Sequence, residues 1–301
     1  MQNDYKKLDI YKFFQESKLL STKGNTFFDV YSELLSKYKN KKITFVEIGV
    51  KWGGSLFMWK RFFGKKARII GIDLDPSAKE LEKFGFEIFI GDQSSKKFWD
   101  DFFSNVGSID ILLDDGGHTN EHQILTLNYV LDNINNGGII IVEDVICSYQ
   151  KKFDNPSKYS FINYSKFLID DLNGRYVDNI KKGVTTHPPK GVNKQKSLNK
   201  SVYSIKFYTN FVVFFIDRKK CIDTDFIFNK KKWKVEDNLI KVQNQNLRWS
   251  SHIYSNQILE NKVIKRLGKI FFFLKDNFFV NTILRKITVK IRQNKIKSFF
   301  E

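Results

Sequence analysis

The chain has 301 residues, a hydrophobic content of 42% and a formal net charge of +18 at pH 7, so it can bury a full core in one large domain. Its two cysteines, Cys147 and Cys221, have no paired spacing and no apolar leader precedes them, which argues against disulfides and favours a cytoplasmic location. The longest apolar stretches, 211–216 and 270–274, are far shorter than the roughly 20 residues of a membrane-spanning helix, so no such helix is predicted.

Helix and strand patterns alternate through the first half of the chain. Apolar residues at helical spacing predict a helix over 25–38, and short apolar runs predict five strands. These strands cover 43–48, 67–72, 86–90, 109–113 and 139–142, with predicted helices over 53–63, 96–103 and 121–131 between them. Strands that alternate with helices indicate a doubly wound, mostly parallel sheet.

Two later apolar runs predict a hairpin at the edge of this sheet. Val202 to Tyr208 and Phe211 to Asp217 flank Thr209 and Asn210, which is a hairpin signal. The predicted fold class is therefore α/β, with a Rossmann-like, seven-stranded sheet and an antiparallel edge hairpin. The polar segment 150–200 is predicted to form loops and a short helix that cover the crevice. We place a domain over 1–217 and a helical, basic C-terminal extension over 218–301.

The C-terminal extension concentrates positive charge, because residues 260–301 hold 11 Lys and Arg against 3 acids, interleaved with phenylalanines. This composition fits a basic amphipathic helix that contacts an anionic membrane surface, such as the inner face of the cell membrane, or a partner. A helix pair that packs on the domain or on a second subunit is the alternative, and we expect a homo-oligomer. Because the remaining lysines are spread along the chain, nucleic acid is not an expected partner.

Acidic side chains follow the predicted strands at their carboxyl ends. Asp114 to His118 follows the fourth strand, and Glu143 and Asp144 follow the fifth. Ligands of open α/β sheets bind beyond these strand ends, so the carboxylates and the imidazole are expected to share one crevice. Oxygen-rich clusters suit Mg2+, and a histidine is the usual general base near neutral pH. The sequence therefore predicts a metal-assisted enzyme.

The turn after the first predicted strand runs from Glu47 to Ser55 and contains three glycines, which allow a ligand to approach the backbone closely. Its spacing is not GxGxxG, which argues against a dinucleotide. A strand that ends in Glu-x-Gly resembles instead the first motif of class I S-adenosylmethionine-dependent methyltransferases. Asp73 and Asp92 close the second and third strands, where carboxylates can accept hydrogen bonds from the ribose hydroxyls and the adenine amine.

Together these motifs resemble the metal-dependent sugar O-methyltransferases of the macrolide (mycinamicin and macrocin) group and the related cephalosporin-hydroxylase-like proteins. The matching pieces are 47–49, 53–55, 71–73, 91–94, 114–118, 143–144, 148–149 and 207–208. The resemblance implies a methyltransferase domain that uses S-adenosylmethionine and Mg2+. Its acceptor would be the hydroxyl of a sugar or glycoside, including a nucleotide-linked sugar, in bacterial surface-polysaccharide or glycoside biosynthesis.

The resemblance also implies a role for each matching residue. Asp115, Glu143 and Asp144 would bind the metal, and His118 would be the catalytic base. The cofactor would be held by Glu47, Gly49, Ser55, Asp73, Asp92, Gln93 and Asp114. Tyr149 and His187 are candidate contacts of the acceptor. The chain departs from the family pattern at Gly117, Cys147 and Gln150, where many relatives have serine, threonine and tryptophan.

Plainer interpretations of the same residues remain open. Asp115 could cap the helix that begins near Thr119, and His118 and His122 could be ordinary packed histidines. At the level of function, a nicotinamide-dependent Rossmann oxidoreductase is disfavoured by the first turn and by the absence of a suitable Tyr-x-x-x-Lys pair. A non-enzymatic module that binds membrane or nucleic acid through the basic tail leaves the strand-end acids unexplained.

Overall fold

The computed structural model describes residues 4–150, 153, 159–179 and 198–222. Its strands are β1 (Thr44–Ile48), β2 (Arg68–Asp73), β3 (Glu87–Ile90), β4 (Ile109–Asp114), β5 (Ile134–Val142), β6 (Val202–Tyr208) and β7 (Phe211–Ile216). Its α-helices are α1 (Asp9–Gln15), α2 (Phe27–Leu35), α3 (Gly54–Phe63), α4 (Lys96–Val106), α5 (Asn120–Val130), α6 (Phe161–Asn179), α7 (Leu198–Ser201) and α8 (Arg218–Ile222). A 3-10 helix over Pro76–Phe84 connects β2 to β3.

The seven strands form one sheet in the order β3-β2-β1-β4-β5-β7-β6. Strands β1 to β5 are parallel, β7 runs antiparallel to β5, and β6 pairs with β7 as an antiparallel edge hairpin. The predicted fold class is therefore confirmed. The chain reverses its direction of winding between β1 and β4, and in open α/β sheets ligands bind at such a switch point, beyond the carboxyl ends of the strands.

The core lies on both faces of the sheet because successive strand residues point to opposite sides. On one face, Phe45 of β1 packs among Tyr31 of α2 and Trp59 of α3. On the other face, the cluster that contains Val46 also contains Trp99 of α4 and buried side chains of α5 and α6. Each fully buried large apolar side chain contributes roughly 1.5 to 3 kcal/mol, so the sheet is held firmly beneath its strand ends.

Two sequence-based expectations about helices need correction. The segment predicted to hold a short helix contains α6, which is 19 residues long. Its buried residues Phe161, Ser165 and Leu168 recur every three to four positions, which is the period of a helix packed on the core. Helix α5 is capped by Thr119, whose side-chain oxygen accepts the N–H of His122 at 3.1 Å, so Asp115 is not its cap.

Some expectations lie outside the described residues. These are His187, about half of the predicted crevice cover, and residues 223–301 of the basic extension, so the division at residue 217 stays a prediction. Within the described ranges, none of the helices combines the length and the apolar character that crossing a membrane would require.

Candidate active site

A crevice with a volume of about 1120 Å³ opens at the carboxyl ends of the central strands. Nine of the predicted site residues line it, namely Gly49, Ser55, Asp73, Asp92, Gln93, Asp115, His118, Glu143 and Asp144. Glu47 and Asp114 are buried at the ends of β1 and β4. Tyr149 is 63% exposed and is not part of the crevice lining. The structure thus brings most of the predicted site together.

Asp115, His118 and Asp144 form a compact group of potential metal ligands. Each offers one ligand atom, and the three atoms lie within 4.8 Å of one another. His118 Nε2 lies 3.7 Å from Asp144 Oδ2 and 4.0 Å from Asp115 Oδ1. Two carboxylates and an imidazole are a donor set that divalent cations accept. The residues present therefore fit a bound divalent metal.

Two of these side chains are positioned by a left-handed backbone conformation, which residues other than glycine rarely adopt. His118 has φ 54° and Asp144 has φ 52°, and each left-handed non-glycine residue costs about 1 to 3 kcal/mol. Asp144 is held by Asn210, whose side-chain amide donates to Asp144 Oδ1 at 2.7 Å and accepts the N–H of Ile146 at 2.9 Å. Asn210 lies in the hairpin turn, so the edge hairpin directly supports the site.

Glu143, also predicted to bind metal, has its carboxylate turned into the protein. One oxygen accepts a hydrogen bond from the hydroxyl of Tyr31, and the other accepts one from Lys23 Nζ at 2.9 Å. Burial raises the pKa of Glu143 to about 8. Because its oxygens face Tyr31 and Lys23 rather than the group around His118, its role as a metal ligand stays a prediction.

Lys23 is a site residue that no sequence pattern indicated. Its side chain is 3% exposed, and Nζ lies 2.5 Å from Asp115 Oδ2 and 3.9 Å from Glu47 Oε1. Burial opposes its positive charge, but Glu143 and the other neighbouring acids outweigh burial and raise the pKa of Lys23 well above its ordinary value. The floor of the site therefore contains a fixed ammonium group.

The first strand ends in a carboxylate whose two oxygens are both engaged. Ser55 Oγ donates to Glu47 Oε2 at 2.7 Å, and Trp59 Nε1 donates to Oε1 at 3.1 Å. Burial raises the pKa of Glu47 to about 7. Two residues later, Gly49 has φ 83°, and a Cβ atom there would lie 2.2 Å from the carbonyl oxygen of Asp115. A glycine is therefore required for β1 and β4 to meet at the crevice.

Asp73 and Asp92, at the ends of β2 and β3, line the half of the crevice that was predicted to bind a nucleoside. Asp73 accepts the backbone N–H groups of Lys51 at 2.9 Å and Asp75 at 3.0 Å. Hydrogen bonds from Ser94 lower the pKa of Asp92. Ionised carboxylates are acceptors for hydroxyl and amine groups, so this half of the crevice fits a nucleoside such as that of S-adenosylmethionine.

Gln93 and Asp114 secure the loop that carries Asp115 and His118. The amide nitrogen of Gln93 donates to both Asp114 oxygens, at 3.0 and 3.1 Å, and its oxygen accepts the N–H of Gly117 at 2.8 Å. Burial raises the pKa of Asp114 despite these contacts. The structure shows that both residues hold the loop in place. Their predicted contact with the cofactor remains a prediction.

The glycine at position 117 is explained by its neighbour. A Cβ atom on Gly117 would lie 2.1 Å from Nδ1 of His122, so a serine at this position would not fit beneath the ring as it is placed. His122 also approaches Asp92, with Nε2 3.9 Å from Oδ1. This histidine therefore belongs to the predicted nucleoside side of the crevice and not to the group around His118.

Comparison with known proteins supports this arrangement. Residues 46–145, which contain β1 to β5 and most of the residues described above, match the family model of a methyltransferase domain. Residues 46–145 are similar in sequence to a methyltransferase domain. The resemblance predicted from the strand-end motifs is thereby confirmed.

Curated relatives of the methyltransferase domain act on sugars of natural products. The chain is 30% identical over 159 residues to the 8-demethyl-8-alpha-L-rhamnosyl tetracenomycin-C 2'-O-methyltransferase of Streptomyces olivaceus. The aligned region covers 49% of this chain and 41% of that protein. It is 31% identical over 154 residues to the mycinamicin VI 2''-O-methyltransferase of Micromonospora griseorubida, covering 47% of this chain and 38% of that protein. The chain thus spans less than half the length of these relatives.

Among solved structures, the MycE methyltransferase of the mycinamycin biosynthetic pathway shares the fold of the methyltransferase domain. The TM-score is 0.56 at 24% identity, and the match covers 73% of this chain and 54% of that structure. That structure is a complex with Mg, SAH and mycinamycin VI.

Proposed function

We propose that the protein is a Mg2+-dependent O-methyltransferase that moves a methyl group from S-adenosylmethionine to a sugar hydroxyl. The observation that carries this proposal is the convergence of Asp115, His118 and Asp144 in the same crevice as Asp73 and Asp92. The sugar O-methyltransferases among its relatives and the Mg and SAH bound to MycE support it.

The cofactor would occupy the half of the crevice beyond β1 to β3. Asp73 and Asp92 would accept hydrogen bonds from its ribose and its adenine, and the turn at Gly49 would let it lie against the backbone. The volume of about 1120 Å³ slightly exceeds the roughly 300 to 1,000 Å³ of small-molecule sites. It leaves room for an acceptor beside the cofactor.

Asp115 and Asp144, with the predicted contribution of Glu143, would hold the metal. Bound Mg2+ stabilises the negative charge that develops on a hydroxyl oxygen as its proton leaves. His118 takes that proton at Nε2, and Asp144, 3.7 Å away, stabilises the imidazolium that forms. Most of the remaining rate comes from holding the acceptor oxygen in line with the methyl group of the cofactor.

The acceptor is proposed to be a sugar or glycoside, including a nucleotide-linked sugar, in bacterial surface-polysaccharide or glycoside biosynthesis. The sugar substrates named for the relatives support a sugar acceptor. A cytoplasmic location, a homo-oligomer and a membrane contact through the basic extension remain predictions from composition.

Isothermal titration calorimetry tests the proposal directly. S-adenosylmethionine, SAH and NAD are titrated separately into each of three proteins, with MgCl2 and with EDTA, and MgCl2 is titrated by itself to measure the heat of Mg2+ binding. Asp115→Ala is the test variant, and Asp101→Ala, which changes an exposed acid of α4, is the matched control. We expect cofactor binding in all three proteins, no binding of NAD, and a Mg2+ heat that is absent only in Asp115→Ala. Binding of NAD would overturn the proposed function, and so would the absence of heat from both S-adenosylmethionine and SAH.

A further inference from the structure

Lys23 occupies a position between two carboxylates that are both predicted metal ligands. Its Nζ atom lies 2.5 Å from Asp115 Oδ2 and 2.9 Å from Glu143 Oε2. The other oxygen, Asp115 Oδ1, lies on the side of His118 and Asp144, 4.0 Å from His118 Nε2. Asp115 is therefore shared between an internal ammonium group and the proposed metal site.

Three carboxyl groups surround the ammonium group of Lys23, and their ionised forms must be balanced by a cation. Glu47 and Glu143 are fully buried, and Asp115 is mostly buried beside them. Burial of a carboxylate costs hydration free energy, and this cost is not offset unless a cation or hydrogen-bond donors contact its oxygens. In the structure the ammonium group of Lys23 meets this need, with the hydroxyl of Tyr31 as a further donor to Glu143.

We propose that the Lys23 ammonium and a divalent cation are alternative occupants of the space between Asp115 and Glu143. This inference rests on the proposed metal-dependent function and deepens it. A divalent ion in that space would be bound by Asp115 Oδ2 and Glu143 Oε2, which are the two oxygens that Lys23 now contacts. Lys23 is thus a positioning residue that holds the acids in place before metal binds and lowers the affinity of the site for metal.

The repulsion between the two cations gives the proposal its direction. A divalent ion and an ammonium group a few ångströms apart repel each other strongly in a site from which water is mostly excluded. Binding of metal therefore requires Lys23 to withdraw. Removing the positive charge at this position should therefore tighten metal binding. If Lys23 only oriented Asp115 and Glu143 as metal ligands, removing it would weaken metal binding instead.

Withdrawal of Lys23 would move a wall of the crevice. Residues 20–24 line the crevice next to the turn at Gly49. The residues just before this segment are anchored at the start of α3, where Ser17 Oγ donates to the carbonyl oxygen of Gly54 at 2.7 Å. A Cβ atom on Gly54 would lie 2.3 Å from the carbonyl oxygen of Leu19, so the segment packs closely there. Metal binding and the shape of the crevice entrance would therefore be coupled.

The first experiment measures the affinity for Mn2+ alone by calorimetry on the full chain. The test variant is Lys23→Met, and Lys23→Arg retains the positive charge. The matched control is Lys206→Met, because Lys206 also pairs with an acid, Glu33 at 2.9 Å, but its side chain is 51% exposed. We expect Lys23→Met to bind Mn2+ at least about tenfold more tightly than the wild type, since a nearby cation is removed. Lys23→Arg and Lys206→Met should bind like the wild type.

The outcomes separate this inference from the proposed function. If the wild type binds Mn2+ and Lys23→Met binds it equally or more weakly, the inference about Lys23 is wrong and the metal site stands. If none of the four proteins binds Mn2+, both are wrong.

A second measurement uses only the wild type and decides the matter if Lys23→Met fails to fold. The chain is treated with an amine-acetylating reagent, with and without Mn2+, and acetylation of Lys23 is quantified by mass spectrometry. We expect Lys23 to be protected without metal and several-fold more reactive with it, while Lys206 is labelled equally in both. Equal protection of Lys23 in the two conditions would show that metal does not displace it, and would overturn the proposal.

Discussion

Replacing Gln93 by leucine tests whether its buried hydrogen bonds stabilise the loop that carries Asp115 and His118. Gln93 donates to both oxygens of Asp114, which is 1% exposed, and accepts the N–H of Gly117. Leucine keeps the volume but removes these contacts. A hydrogen bond to a charged group contributes about 1.5 to 3 kcal/mol, and an unpaired buried donor costs about 1 to 3 kcal/mol. We therefore expect Gln93→Leu to lower the free energy of unfolding by about 3 to 5 kcal/mol at pH 7.

A double-mutant cycle with Asp114→Asn isolates the contact. Because asparagine carries no charge, losing Gln93 should cost less in that background, with a coupling free energy of at least about 1.5 kcal/mol. The assay is urea unfolding followed by circular dichroism. Gln15→Leu, at an exposed position of α1, is the control and should change stability by no more than about 0.5 kcal/mol.

Two results would refute the reasoning. If the effects of Gln93→Leu and Asp114→Asn add to within about 0.5 kcal/mol, the two side chains do not act as a unit. If Gln93→Leu costs less than about 1 kcal/mol, the hydrogen bonds seen in the structure do not stabilise the loop.

Two further predictions concern the end of β1. Gly49→Ala should lower the free energy of unfolding by about 2 to 4 kcal/mol and weaken the Mg2+ heat, because of its φ of 83° and the clash with the Asp115 carbonyl. Gly85→Ala, with φ 79° and ψ 29° and a Cβ that would meet Lys60 Nζ at an ordinary 3.7 Å, should cost only about 1 kcal/mol and spare the Mg2+ heat; equal losses would contradict the clash. For Glu47, the pKa rises from 4.5 to about 7 on folding, so the native state binds its proton more tightly. The stability this provides is complete below pH 4.5 and is lost as the pH rises to about 7. Glu47→Gln should remove up to about 3 kcal/mol of that pH dependence, measured by urea unfolding at pH 5 and pH 8. An unchanged pH dependence in Glu47→Gln would contradict this assignment.

Most of the fold could be predicted because its signals are local. Each parallel strand is a short apolar run, and each connection carries helical spacing or a turn signal. The acids of the site were predictable for a related reason, since the carboxyl ends of parallel strands meet at one edge of the sheet. Asp115 and Asp144 belong to different strand ends, yet the sheet alone brings them together.

The residues that support these acids could not be predicted in the same way. Lys23 contacts Asp115 across 92 residues, Tyr31 contacts Glu143 across 112, and Asn210 contacts Asp144 across 66. None lies in the sheet's parallel strands, and the hairpin signal that contains Asn210 does not indicate its contact with Asp144. Their positions follow from how α2, the preceding segment and the edge hairpin pack on the sheet, which is a tertiary property without a local sequence signal.

The acids themselves nevertheless contained part of this information. A group of carboxylates buried at neighbouring strand ends requires positive charge, because their desolvation must be offset. Such a pattern predicts a cation but not its identity, because a lysine ammonium group and a metal ion can both balance buried carboxylates. In the structure the buried acids Glu47 and Glu143 face Lys23, whereas Asp144 and His118 face the crevice. Asp115, which contacts both groups, is therefore the position at which the internal cation and a bound metal would exclude each other.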